Sequence, residues 1–212
     1  MKLKNAMALG LASVLAVGLT ACGSSADTSA APAAESTEAA ADAAGAPDGD
    51  GDPTTLTVAM ECAYAPYNWT QSDDSNGAVE IRGSSDYAYG YDVMMAKKIG
   101  EALGQKVQIV KLDWDSLIPA VMSGDVDCVI AGQSITAERA AQVDFSDPYY
   151  YASIITLTKK DSAYANAASV ADLAGATATS QLGTIWYDTC LPQIENANIL
   201  PAQETAPAML VA

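Results

Sequence analysis

The chain has 212 residues, with 10 Lys+Arg against 26 Asp+Glu, a formal net charge of −16 and a sequence pI near 4.1. That excess of negative charge argues against nucleic acid or anionic lipid held by charge. There is no histidine, which removes Ser-His-Asp catalysis, Cys-His catalysis and the common zinc sites together.

Lys2 and Lys4 precede an uncharged apolar run from Ala6 to Thr20. The run is shorter than the roughly 20 residues that span a bilayer, so residues 1–21 read as a secretory signal peptide. Leu19-Thr20-Ala21-Cys22 is similar to a bacterial lipobox, which implies cleavage before Cys22 and a diacylglyceryl group on its sulfur. Two acyl chains anchor stably where one does not. An ordinary signal peptidase site beside an incidental cysteine is the weaker alternative, because Cys22 directly follows small residues at the end of the apolar run. Residues 22–53 hold seven acids among Ala, Ser, Thr, Gly and Pro, with no Lys or Arg. Such a stretch has little to bury and is expected to be a flexible tether.

Residues 54–212 remain acidic, with 8 Lys+Arg against 19 Asp+Glu. Leu56–Met60 predicts a first strand, and Thr70–Tyr89 interrupts it as a polar insertion. Asp92 is placed to cap a helix over 93–103, with Met95, Ile99 and Leu103 on one face and Gly104 ending it. Val107–Leu112 predicts a second strand. Ser116 starts a second helix, with Pro119 in its first turn and Gly124 closing it. Val126–Ala131 predicts a third strand and Thr136 the start of a third helix. Strand, helix, strand, helix, strand with short loops implies a parallel α/β sheet, in which ligands bind beyond the carboxyl ends of the strands. After Pro148, residues 149–158 read as one extended segment. Ser169 to Asp172 then fits a capping box, Gly175 ends that helix, 176–180 predicts a strand, and Leu182-Gly183-Thr184 opens another helix. The chain stops inside a helix begun at Pro207, and a second domain of this size cannot bury much of a core, so truncation is expected.

Cys62, Cys128 and Cys190 are odd in number and widely spaced, so free thiols are expected and no disulfide framework follows. Asp92 and Asp144 read as caps or turn residues. The stretch Ile130–Tyr150, IAGQSITAERAAQVDFSDPYY, carries Arg139, one of two arginines in the chain. A guanidinium beside helix amides makes a carboxylate receptor. A solvated arginine pairing with Glu138 or Asp144 fits the local sequence equally well.

Residues 54–212 resemble the bacterial family 3 extracellular solute-binding proteins, the substrate-capturing subunits of polar amino-acid ABC importers. The resemblance rests on LTVAM…AYAPYNW, YGYDVMMAKKIGEALG, WDSLIPAVMSGDVDCVIAGQSITAER, VDFSDPYY, VADLAG and SQLGT, which occur in the family's order. It implies an α/β, two-lobed periplasmic-binding-protein-like fold: lobe 1, a parallel sheet with flanking helices, over 54–150, and a hinge strand with an incomplete lobe 2 over 151–212. Arg139 falls on the family's grip for the ligand α-carboxylate, with Gly132 and Ser134 on neighbouring hydrogen-bonding positions. Tyr64 and Trp114 fall on the two aromatic walls, and Glu61 where the family often has an aspartate reaching the ligand side chain or ammonium. Gln181 and Thr184 match second-lobe contacts, while the second-lobe aspartate for the ammonium lies past Ala212.

Each residue has a second reading. Trp114 can be a core tryptophan, Tyr64 turn packing before Ala65-Pro66, Glu61 a surface charge at a strand end, and Gly132 a glycine for turn geometry. The expected function is a lipid-anchored receptor on the extracytoplasmic face of the cell membrane. It captures a polar amino acid for ABC permease subunits, Glu61 with the two aromatics favouring a basic or polar side chain, as a monomer without cofactor or metal. The competing functions are a periplasmic-binding-protein-like dehydratase acting on a cyclic carboxylate, which Arg139 would serve equally well, and a sensory ligand-binding module.

Overall fold

The computed structural model describes residues 52–212. The signal segment, Cys22 and all but the last two residues of the tether lie outside the described residues. Strand β1 (Thr55–Met60) is buried at every position after Thr55 because it is the middle strand of a parallel sheet and is covered on both faces. Its neighbours are β6 (Lys106–Lys111) and β7 (Cys128–Val129), in the order β6-β1-β7. The ladder to β7 is shorter than the predicted 126–131. Its pairing continues at both ends, where Asp127 N donates to Thr57 O and Ile130 N to Ala59 O. The buried Thr57 is satisfied by Asp127, whose carboxylate accepts from the Thr57 amide and hydroxyl.

The stretch 70–89 departs from the expected polar interruption. With the residues before it, it folds into an antiparallel sheet of β2 (Ala63–Tyr64), β3 (Asn68–Gln71), β4 (Val79–Glu80) and β5 (Tyr87–Tyr89), in the order β2-β3-β5-β4. Ile81 then bridges Ile109 of β6, and the Arg82 amide donates to Ile109 O at 2.8 Å. Ile81 and Ala88 are buried in the main core. These two- to four-residue strands are hidden in the sequence by the Ser, Asp, Asn and Gly of their turns.

Helix α1 (Tyr91–Leu103) ends at Gly104 in the left-handed region, as expected for a helix C-terminus. Its start differs from the prediction: Gly90, not Asp92, is the cap residue, and Asp92 is buried in the first turn. The buried face is Val93, Ala96 and Gly100, whereas Ile99 and Leu103 are exposed. Small residues win because the helix lies so close to the sheet that a Cβ at Gly100 would meet Val107 Cγ2 at 2.6 Å. Gly90 has φ 130°, and a Cβ there would lie 2.3 Å from the Tyr67 carbonyl oxygen. Gly90→Ala should therefore destabilise the protein by about 2–3 kcal/mol, since a backbone oxygen cannot swing aside; an unchanged denaturation midpoint would contradict this.

A 3₁₀ turn over Trp114–Ser116 leads into α2 (Leu117–Ser123), closed by Gly124. Thr136 caps α3 (Ala137–Ala140), its hydroxyl accepting from Arg139 N at 3.2 Å. Residues 149–158 form no strand among the described residues, and Tyr151 and Ile155 are each 82 % exposed. A strand needs a neighbour for its amides and carbonyls, and no described strand runs alongside this segment. Beyond it lies a second, small core of Leu173, Ala176 and Ile194, with Tyr164 and Leu191 packed on it. The Ser169–Asp172 capping box is present but opens a 3₁₀ turn over 170–173 rather than a full helix. The strands there are β8 (Thr177–Ala178) and β9 (Asn198–Ile199), paired in parallel, and α4 (Ala206–Met209) starts at the cap Thr205. Cys62, Cys128 and Cys190 are free thiols.

Candidate functional site

The end of β1, the loop after β6 and α3 meet the segment 181–184 through Glu61 to Gln181 and through Trp114 and Arg139 to Gly183, beyond the carboxyl ends of the parallel strands, where such sheets bind ligands. A cleft of about 380 Å³ opens there, and Trp114, Arg139 and Thr184 line it. The Arg139 guanidinium pairs with neither Glu138 nor Asp144 as its main partner. Nη1 donates to Ser134 O at 2.9 Å and Nη2 to Gly183 O at 3.0 Å. Its Cζ lies 5.6 Å from the centre of the Trp114 ring. Burial pulls the Arg139 pKa below its ordinary value, while the charges of Glu138 and Asp188 push it back up. Trp114 is half-buried and packs on the core, and its Nε1 donates to Gly183 O at 3.0 Å. Gly183 O thus takes two donors from residues that precede it by some 40 to 70 positions.

Glu61, Gln181 and Tyr64 form a second group behind this cleft. Glu61 is only 5 % exposed, and its Oε1 accepts from Gln181 Nε2 at 2.8 Å. Thr184 Oγ1 donates to Gln181 O at 2.7 Å, which holds the 181–184 turn together. The Tyr64 ring stacks on Tyr67 at 4.9 Å and tilts against Trp186 at 5.9 Å. The surface-charge reading of Glu61 is therefore displaced, because its carboxylate is sequestered.

Burial raises the Glu61 pKa above its ordinary value of 4.5, opposed by the Gln181 hydrogen bond and reinforced by Asp113 and Asp115. The folded protein then holds the Glu61 proton more tightly than the unfolded chain does. Keeping Glu61 charged costs stability at neutral pH, and that cost vanishes as the pH falls through the folded pKa to below 4.5. The parent should consequently gain thermal stability relative to Glu61→Gln between pH 7 and pH 4. A difference independent of pH in scanning calorimetry would sink this account.

Gly132 sits at φ 64°, and its amide donates to Tyr149 Oη at 3.1 Å. Tyr149 Oη in turn donates to Asp92 Oδ1 at 3.1 Å, and Asp92 Oδ2 accepts from Asn68 Nδ2 at 2.7 Å. Asn68 Oδ1 then accepts from the Cys62 amide at 2.8 Å. This chain, buried at Cys62, Asn68 and Asp92 and exposed at Tyr149 and Gly132, ties the end of β1, β3, α1 and the loop after β7 to one another, so it positions Glu61 and Gly132 without touching the cleft. Ser134 is exposed and contributes its carbonyl to Arg139.

Several site residues escaped the sequence reading. Asp115, Glu138 and Asp188 line the cleft, and Gly183 supplies its doubly used carbonyl. Asp188 was within reach: it lies four residues after Thr184 in a helical run, and its amide donates to Thr184 O at 3.0 Å. The Gly183 carbonyl had no such signal, since a backbone acceptor looks alike at every residue.

The sequence matches the family described as bacterial extracellular solute-binding proteins, family 3, over residues 56–206. The arginine-binding extracellular protein ArtP of Bacillus subtilis (strain 168) is 35% identical over 130 residues, which is 61% of this chain and 45% of that protein. Among solved structures, the ancestral amino acid-binding protein AncCDT-1, a precursor of cyclohexadienyl dehydratase, has a TM-score of 0.61 at 33% identity, covering 74% of this chain and 65% of that one. The arginine-bound form of truncated ArgBP from T. maritima has a TM-score of 0.61 at 28% identity, covering 74% of this chain and 68% of that one. The chain spans about half the length of the curated relatives it matches. With its parallel sheet, its flanking helices and a cleft at the carboxyl ends of the strands, the chain has the α/β periplasmic-binding-protein-like fold and belongs to the family 3 bacterial extracellular solute-binding proteins.

Proposed function

We propose that this chain belongs to the ligand-capturing subunit of an amino-acid ABC importer, working outside the cytoplasmic membrane and held there by a lipid on Cys22. The two hydrophobic cores are read as its two lobes, 54–150 and the partial 151–212, with the acidic tether separating them from the membrane. The observation that carries this reading is the meeting of Arg139, Trp114 and Gly183 O in one cleft. A guanidinium over an aromatic wall offers an amino acid a carboxylate grip and an apolar face. In this reading Ser134 O steadies that grip, Thr184 lines the cleft from the other side, Gln181 bound to Glu61 draws the two sides together, and Tyr64 and Gly132 support the cleft from behind it. ABC permease subunits are the downstream partners, with the receptor acting as a monomer.

The site holds the ligand and does not transform it. A dehydratase needs a general acid or base that reaches its substrate; the Glu61 carboxylate is buried against Gln181, whereas Asp115, Glu138 and Asp188 line the cleft, so product analysis is what separates the two readings. The test is calorimetric titration of the full chain with amino acids, with Arg139→Ala alongside and product analysis of each mixture. Saturable binding that is lost in the variant, with the amino acid recovered unchanged, is the expected result. Conversion of the ligand, or equal binding by the variant, would overturn it.

A further inference from the structure

Resting on the amino-acid reading above, we propose that the ligand's side chain is cationic and that Asp115 and Asp188, rather than Glu61, receive it. The cleft is lined by three carboxylates, Asp115, Glu138 and Asp188, and its one lining cation is Arg139. An amino acid whose carboxylate is held by Arg139 cancels that charge and brings a single ammonium. A neutral side chain would leave the remaining carboxylates facing each other across a narrow space, where charges are poorly screened. A second positive charge on the ligand relieves that repulsion.

The geometry selects among the acids. Glu61 does not line the cleft and is committed to Gln181 at 2.8 Å, so its carboxylate serves to join the two sides. Asp115 faces the 181–184 turn: its Oδ1 lies 4.0 Å from where a Cβ on Gly183 would stand. Asp188 stands one helical turn beyond Thr184, on the opposite side of the cleft, and its charge is felt at the Arg139 guanidinium. The Trp114 ring lines the same cleft and already carries a planar cation at 5.6 Å in the form of Arg139. A ligand guanidinium or ammonium seated between Asp115 and Asp188 would therefore meet a carboxylate on each side and an aromatic face. Glu138 adjoins Arg139 in sequence and acts on that arginine.

L-arginine and L-citrulline test this, because they share length and shape and differ in the charge of the terminal group. Titration of the full chain with both should show arginine binding at least about tenfold tighter, the effect of one charge-assisted hydrogen bond or more. Asp115→Asn and Asp188→Asn should each narrow that ratio several-fold, while Glu61→Gln, which loosens the join to Gln181, should weaken both ligands alike. Circular dichroism on each variant separates misfolding from lost selectivity. Citrulline binding as tightly as arginine, or Asp variants that weaken both ligands equally, would overturn the assignment while leaving the amino-acid reading intact. Absence of binding by arginine, citrulline and glutamine alike would overturn the amino-acid reading itself, and the assignment with it.

Discussion

Arg139→Ala is expected to weaken amino-acid binding by about 10²- to 10⁴-fold. Charge-assisted hydrogen bonds contribute about 1.5–3 kcal/mol each, and a guanidinium can make two to one carboxylate. The sum, about 3–6 kcal/mol, converts at roughly 1.4 kcal/mol per decade. The lower end is favoured, because the guanidinium already has partners. Ser134 O and Gly183 O accept from it, and an incoming carboxylate must displace or share those bonds. Arg139→Lys should recover only part of the loss, since an ammonium keeps the charge but not the planar fork that bonds a carboxylate and Gly183 O together. Isothermal titration of parent, Ala and Lys variants would check the order. Parental affinity in the Ala variant would remove Arg139 from the carboxylate role.

Asp92→Ala should be the most destabilising single change in the buried network, by about 3–5 kcal/mol. Asp92 is fully buried and accepts from Asn68 Nδ2 and Tyr149 Oη, so its removal strands the buried Asn68 amide at about 1–3 kcal/mol, frees a partly exposed Tyr149 hydroxyl at less, and opens a small void. For a folded part of this size, roughly 2–4 °C per kcal/mol, the melting temperature should fall by about 6–20 °C. Burial raises the Asp92 pKa, with the Asn68 and Tyr149 hydrogen bonds opposing it. The network therefore carries a charge cost at neutral pH that eases as the pH falls toward 3.8. Asp92→Asn should accordingly be milder near pH 7 than Asp92→Ala. The loss would also reach the cleft, because Tyr149 would no longer be held against the Gly132 amide. Thermal melts of the two variants would decide the matter, and a loss below about 1 kcal/mol for Asp92→Ala would mean that water or a shifted Asn68 replaces the carboxylate.

The sequence announced those elements whose signals are local. The apolar run of β1, the left-handed glycines Gly104 and Gly124 behind α1 and α2, and the Thr136 cap before Arg139 each follow from a few neighbouring residues. The motifs of residues 54–212 likewise declared the family over the stretch that the comparison matches. Length and patterning could not show that the polar stretch 70–89 folds onto β6 through Ile81, because two-residue strands exist only by virtue of the strand beside them. The same reason removed the expected strand from 149–158, which has no described neighbour to complete its hydrogen bonds.

The site divides in the same way. Arg139 was a candidate by its place beside helix amides, and the resemblance to the family, position by position, made Trp114, Tyr64 and Glu61 candidates beside it. Their partners were set by the tertiary structure: Glu61 with Gln181, 120 residues away, and Arg139 and Trp114 with one backbone oxygen at Gly183. Asp92 shows the difference most sharply. By sequence it is an acid at a helix start, and in the fold it is a buried acceptor for two distant side chains. Chemical kind and local conformation are properties of a few adjacent residues, so the sequence by itself determined them here. Burial and pairing depend on which distant segments the chain brings together, and only the tertiary structure decided those.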